Sequence, residues 1–268
     1  MDKCIDLKIP SEINNYIKDL PYTVDSIGMS GSTILTFDDM VLKIEKPSEH
    51  FDRMISIMHW LDGKVPSPKV ICVAKENGLC YLLMSRVEGK MSCDEYYLER
   101  PDELCEHLAN GLKMLWSVDI SDCPVVRDID IELKEAKYRV DNKLYDLDNV
   151  EADTFGENGK FRNPEDLYIW LEENRPTYEP VLSHGDYCLP NIFINEGEIS
   201  GFIDLGDTGI GDKWRDIALC YRSLIHNFDG TYGGKVYENF SPDLLFEKLG
   251  IEPDPQKLEY YRLLDELF

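Results

Sequence analysis

Positive charge is scarce in this chain of 268 residues. Twenty-eight Lys and Arg stand against 52 Asp and Glu, a formal net charge of −24 at pH 7. A nucleic-acid binder needs clustered Lys and Arg to neutralise phosphates, so that class is excluded. Long apolar runs are missing too. No stretch approaches the roughly 18 residues of a membrane helix. The N-terminus, Met1-Asp2-Lys3-Cys4-Ile5-Asp6, lacks the basic segment and apolar run of an export signal. Eight cysteines are scattered without a C-x-x-C pair, which argues against zinc and against a disulfide framework. The expectation is a cytoplasmic protein with reduced thiols, no membrane or nucleic-acid partner, and a monomeric state, a dimer being the alternative. Hydrophobic residues still make up 43%, enough to drive a core, so the acidity does not mean disorder. Charge of this sign favours a cationic partner.

The first third reads as strands. Residues 22–28, 32–37 and 40–46 are β-branched and apolar, and Asp38-Asp39 supplies a turn between the last two. Residues 51–62 change to helical period, with Phe51, Met54, Ile55, Met58 and Leu61 on one face. A second hairpin, 70–74 with 79–85, turns at Lys75-Glu76-Asn77-Gly78, and Gly89 follows as a hinge. From there helices dominate: 101–118 with a leucine stripe, 164–173, one beginning with Pro242 behind a Ser241 cap and stopping at Gly250, and 255–268. A β-rich island, 184–204, interrupts them. The expected fold class is α+β in two lobes, residues 1–88 and 89–268.

The island carries the chemistry. In Ser183-His184-Gly185-Asp186-Tyr187-Cys188-Leu189-Pro190-Asn191, Asp186 and Asn191 have the D-x-x-x-x-N spacing of a kinase catalytic loop. Phosphoryl transfer needs a carboxylate to take or orient the proton of the attacking hydroxyl, and oxygen ligands for magnesium. Asp186 suits the first role. Asn191 and Asp204, the latter ending an apolar strand, suit the second. Two ordinary turns using Asp and Asn would explain either motif alone, but not both in this order. On the other lobe, Gly28-Met29-Ser30-Gly31-Ser32 lets backbone N–H groups approach anionic oxygens. Lys43 follows in the next strand, within Val41-Leu42-Lys43-Ile44.

With these residues in place, the sequence resembles the aminoglycoside phosphotransferase family, in particular its 3′-phosphotransferases. The matching segments are VLKIE, WLDGKVPSPKV, LLMSRVEG, SVDISDCP, HGDYCLPNIF, GFIDLG, DKWRDIALCYRS and YYRLLDELF, collinear over nearly the whole chain. The resemblance implies a protein-kinase-like fold, ATP with Mg²⁺ (GTP being the alternative nucleotide), and transfer of the γ-phosphate to a sugar hydroxyl. It implies Asp186 as catalytic base, Asn191 and Asp204 as metal ligands, and Lys43 as the phosphate clamp. Met29 and Ser30 would lie over the phosphates, and Ser85 and Val87 would offer backbone groups to the purine. Acceptor binding would fall to the acidic segment 141–158, with Asp148, Glu151 and Asp153, to Arg222, and to the tail with Glu266 and Phe268.

The chain also departs from the family pattern. The helix glutamate that pairs with the clamp lysine is Met54 here, which leaves Glu49 and Asp52 as the nearest acids. The aromatic before the clamp is Val41. The arginine usual after IDLG is Asp207, and the acids after the RS pair are His226 and Asn227. His50, His59, His107 and His226 are expected at the surface, and His184 as a holder of the catalytic loop. Two other functions are weighed: a kinase for a macrolide, choline or another hydroxylated metabolite, and a non-catalytic kinase-like binding protein. The full set of Asp186, Asn191, Asp204 and Lys43 argues against the last.

Overall fold

Turn chemistry and alternation build the first lobe. In the computed structural model, which describes residues 9–25, 32–147, 150–156 and 159–268, a short helix α1 (Ser11–Ile17) precedes strands β1 (Thr23–Asp25), β2 (Thr33–Thr36) and β3 (Met40–Glu45). Helix α2 (Glu49–Leu61) and strands β4 (Val70–Glu76) and β5 (Leu79–Ser85) follow. The strands form an antiparallel sheet in the order β1-β2-β3-β5-β4. Asn77 and Gly78, both at positive φ (52° and 76°), make the two-residue turn that matches strand twist. The sheet has two unlike faces. Leu35, Leu42, Ile44, Tyr81 and Leu83 pack with Ile13 and Ile17 of α1 into a small core of their own. Val41, Lys43 and Glu45 alternate to the opposite face, opposite Met84, Leu82 and Cys80 of β5.

Helix α2 opens with Ser48 accepting from the Phe51 N–H at 3.0 Å. It buries Phe51, Met54, Ile57, Met58 and Leu61. These side chains belong to the same apolar cluster as the second lobe, so α2 is seated on both lobes. Gly89 (φ 103°) makes the crossing possible, since a Cβ there would stand 2.4 Å from the Ile194 carbonyl oxygen.

The second lobe comprises β6 (Lys90–Met91), α3 (Glu95–Leu98), α4 (Pro101–Trp116), α5 (Ile129–Asn142), α6 (Pro164–Glu173), β7 (Pro180–Ser183), β8 (Ile192–Asn195), β9 (Glu198–Phe202), β10 (Gly209–Asp212), α7 (Lys213–Phe228), α8 (Leu244–Leu249) and α9 (Pro255–Asp265). Strands β6-β8-β9 form one small sheet and β10-β7 another. The kinase-like α+β architecture is thus present. Three details differ from the sequence expectation. Helices α1, α3 and α5 were not anticipated. Helix α8 begins at Leu244, because the turn before it is closed by three-residue bonds, from the Leu244 N–H to the Ser241 carbonyl and from the Leu245 N–H to the Pro242 carbonyl. Helix α9 ends at Asp265, where the chain turns to bring its last residues against Arg139. Met29, Ser30 and Asp148 lie outside the described residues.

Candidate active site

The loop between β7 and β8 is held from every side. Asp216 on α7, fully buried, accepts from the Ser183 hydroxyl (3.0 Å) and from the backbone N–H groups of His184 (2.8 Å) and Gly185 (2.9 Å). His184, also buried, accepts at Nδ1 from the Asp186 N–H at 3.3 Å and donates from Nε2 to the Ile203 carbonyl at 2.9 Å. That pattern selects the Nε2–H tautomer, so His184 braces the loop. Gly185 sits at φ 85° with Asp207 pressed against it, where a Cβ would come within 2.3 Å of the Asp207 carbonyl oxygen. Ser92 and Ser223 secure the two backbone groups of Leu189. The result is one fixed position for the Asp186 carboxylate. Asn191 donates from Nδ2 to its Oδ2 at 2.8 Å and to its carbonyl oxygen at 3.0 Å. Burial, then the nearby carboxylate of Asp265, raise Asp186 from its ordinary value.

Across from this loop lies a cavity of about 670 Å³ between the lobes. Lys43, Ser85, Val87, Asn191 and Asp204 all line it, five of the residues singled out from the sequence. Asp204 adopts a left-handed backbone (φ 56°, ψ 61°), a conformation non-glycine residues keep mainly where surrounding structure demands it. Its Oδ1 lies 3.6 Å from Lys43 Nζ. Asn191 and Asp204 are two hard oxygen donors facing one cavity. That suits magnesium, which takes one or two protein oxygens and fills its other positions with phosphate and water. The acid on Lys43 is neither Glu49 nor Asp52. Asp52 pairs outward with Lys75 at 2.6 Å, while Lys43 Nζ lies 3.3 Å from Glu45.

Of the residues expected to bind an acceptor, Glu151, Asp153, Arg222 and Glu266 lie in one group, already partnered, and Phe268 is held by Arg139. Arg222 pairs with Asp265 at 2.5 Å and His226 with Glu151 at 2.6 Å. Arg262 approaches Asp153 at 3.5 Å, and Glu266 accepts from the Glu151 N–H at 3.1 Å. Arg139 holds the carbonyl oxygens of Leu267 and Phe268. Burial raises Glu266 to about 6. Glu151, Lys160, Arg222, His226 and Arg262 line a recess of about 400 Å³. His226 is therefore no surface group, and neither is His107, whose side chain is 12% exposed. Both sit on inward helix faces, a position composition does not disclose.

Behind the loop runs an ion network that reading the sequence missed. Arg127, 1% exposed, contacts Glu132 at 2.7 Å, Glu135 at 2.7 Å and Asp207 at 3.3 Å. Arg215 meets Glu132 at 2.6 Å. Burial would raise Asp207, but Arg215 and Arg127 prevail and hold it below its ordinary value. The signal was present in part: the usual arginine position had become an acid, and an acid that deep requires cations nearby.

A nucleotide-sized cleft, a braced Asp–Asn loop, a cleft lysine and a strand-end Asp define a kinase-like phosphotransferase. The profile of the phosphotransferase enzyme family matches residues 23–248. The chain belongs to that family. It is 36% identical over 274 residues to an aminoglycoside 3′-phosphotransferase of Enterococcus faecalis, covering 98% of this chain and 99% of the relative. It is also 36% identical to one of Staphylococcus aureus, over 98% and 99% of the two chains. Among solved structures, an aminoglycoside phosphotransferase from Streptomyces rimosus, in complex with ADP and streptomycin, superposes with a TM-score of 0.78 at 20% identity over 96% of each chain. That likeness bears on the fold.

Proposed function

We propose that this chain transfers the γ-phosphate of ATP to the 3′-hydroxyl of an aminoglycoside, and so inactivates the antibiotic. The observation that carries the reading is Asp186, held by Asn191, which lines one cavity together with Lys43 and Asp204. The relatives named above supply the acceptor class.

In this reading the acceptor hydroxyl donates to Asp186, which takes its proton as the oxygen bonds to the γ-phosphorus. The bond between that phosphorus and the β-phosphate oxygen breaks, and ADP departs. Lys43 binds the α- and β-phosphates. Met29 and Ser30 cover the phosphates, and Ser85 and Val87 bind the purine. Asn191 and Asp204 would hold Mg²⁺, which would supply positive charge against the transferring phosphates. Glu151, Asp153, Asp148, Arg222, Glu266 and Phe268 orient the acceptor through its ammonium and hydroxyl groups. The nucleotide lobe is residues 1–88 and the catalytic lobe 89–268. The protein acts as a cytoplasmic monomer. Among the described residues no helix is long and apolar enough to cross a membrane.

The paired acids on the acceptor side favour one competing reading, a kinase for a less cationic hydroxylated metabolite. A coupled ADP-release assay with aminoglycosides, a macrolide and choline separates the two. Acceptor-dependent turnover confined to aminoglycosides supports the proposal, and turnover confined to either other class overturns it.

A further inference from the structure

The geometry points to Glu45 as the acid that positions Lys43, a task moved from helix α2 to the lysine's own strand. We infer this from three observations, and it rests on the reading of Lys43 as the phosphate clamp.

First, the helix position where the resemblance expects a glutamate is Met54, 3% exposed and packed in the apolar core. It lines the same cavity as Lys43. The neighbouring acid Asp52 is spent on Lys75 at the protein surface. Among the described residues the helix supplies no acid to the cavity.

Second, residues two apart on a strand share a face. Glu45 therefore projects beside Lys43, and its Oε2 lies 3.3 Å from Nζ. Both side chains are nearly buried, at 13% and 10% exposed. The Ser32 hydroxyl donates to that same oxygen at 3.2 Å, which fixes the carboxylate. Asp204, at 3.6 Å, is the other carboxylate on the ammonium. It is assigned to the metal, so Glu45 is the acid dedicated to Lys43.

Third, α2 is fastened elsewhere. His50 lies over Gly206, where a Cβ would fall 1.9 Å from the ring, and its Nε2 is 4.0 Å from Asp207. Arg53 reaches Glu135 at 3.9 Å. The helix is tied to the catalytic lobe by the packing of His50 and by the Arg53–Glu135 pair, whereas the clamp takes its register from β3. Lys43 then stays aimed at the phosphates whatever the position of α2. Glu45 is thus a positioning residue, acting on nucleotide through Lys43.

The test uses the full chain with Glu45→Gln, Lys43→Ala and the double variant Glu45→Gln/Met54→Glu. ATP affinity is measured by calorimetry with magnesium, and KM values for ATP and acceptor by kinetics. Thermal melting is recorded alongside. Losing one charge-assisted contact on the clamp should weaken ATP binding about tenfold in Glu45→Gln. The acceptor KM and the melting temperature should stay near wild type. An acid restored from the helix in the double variant should recover most of the loss. Wild-type ATP affinity in Glu45→Gln, beside a weakened Lys43→Ala, would overturn the assignment of Glu45 alone. Wild-type affinity in both would remove the clamp reading itself. A double variant no better than Glu45→Gln, or a loss shared equally by acceptor and melting temperature, would also contradict the inference.

Discussion

Asn191 holds Asp186: its Nδ2 lies 2.8 Å from the Asp186 carboxylate and 3.0 Å from the carbonyl of the same residue. One side chain thus links the proposed proton acceptor to the proposed metal position. Asp186→Asn should preserve the loop, because an amide oxygen can still accept that hydrogen bond, yet it cannot take a proton. Turnover should fall by about 10²- to 10⁴-fold while ATP affinity stays within a few-fold of wild type. Asp204→Ala should show the reverse emphasis, with magnesium-dependent ATP binding lost first. Calorimetry and steady-state kinetics on the two variants check the split.

The network behind the loop should matter to stability. Glu132 is shared by two buried guanidiniums, from Arg127 and Arg215. Glu132→Gln leaves both without their common carboxylate. Removing one partner of a buried ion pair costs about 3–5 kcal/mol, because an uncompensated charge remains. Denaturant unfolding measures it, and a change below about 1 kcal/mol would mean that water reaches the site.

Burial raises Glu266 from 4.5 to about 6, so the folded state binds this proton more tightly than the unfolded chain. Its contribution to stability is complete below about pH 4.5, declines as pH rises through about 6, and is absent above. A displacement of this size corresponds to about 2 kcal/mol. Glu266→Gln should therefore show its largest relative gain in stability at neutral pH and little at pH 4.5. Paired unfolding curves at the two pH values test the sign.

How much of this was legible in the sequence depended on the range of the interaction. The hairpins, the α2 stripe and the Asp186–Asn191 loop follow from local periodicity and spacing, and the structure contains all of them. Helix α5 went unread because it is polar over most of its surface and buries a glutamate, Glu132. Its signals were the Asp128 cap and the spacing of Leu133, Ala136 and Val140. Asp207 beside Arg127 and Glu151 beside His226 come from distant parts of the chain, and no local pattern names them. Glu45 was hidden differently. An acid two residues along a strand looks like any solvated charge until the opposite face is seen to carry the small core.

The acceptor side leads to a separate expectation. Glu151 is bound to His226 and Asp265 to Arg222, so in the proposed reading an acceptor ammonium competes with these partners for the two carboxylates. Glu151→Gln should raise the acceptor KM several-fold and leave the ATP KM unchanged, since uniform binding losses appear in KM. Acceptor kcat/KM should fall with ionic strength as the long-range attraction is screened over about 8 Å at physiological salt. Equal shifts in both KM values would place Glu151 outside acceptor binding.

The central claim is phosphorylation of an aminoglycoside at its 3′-hydroxyl with Asp186 as base. The most direct measurement compares ADP release with a 3′-hydroxylated aminoglycoside and with its 3′-deoxy counterpart, under identical conditions and with Asp186→Asn as control. The account predicts stoichiometric ADP release and a singly phosphorylated product for the first compound. It predicts competitive inhibition without turnover for the second, and near-background rates in the variant. Equal phosphorylation of the 3′-deoxy compound, or full activity in Asp186→Asn, would contradict it.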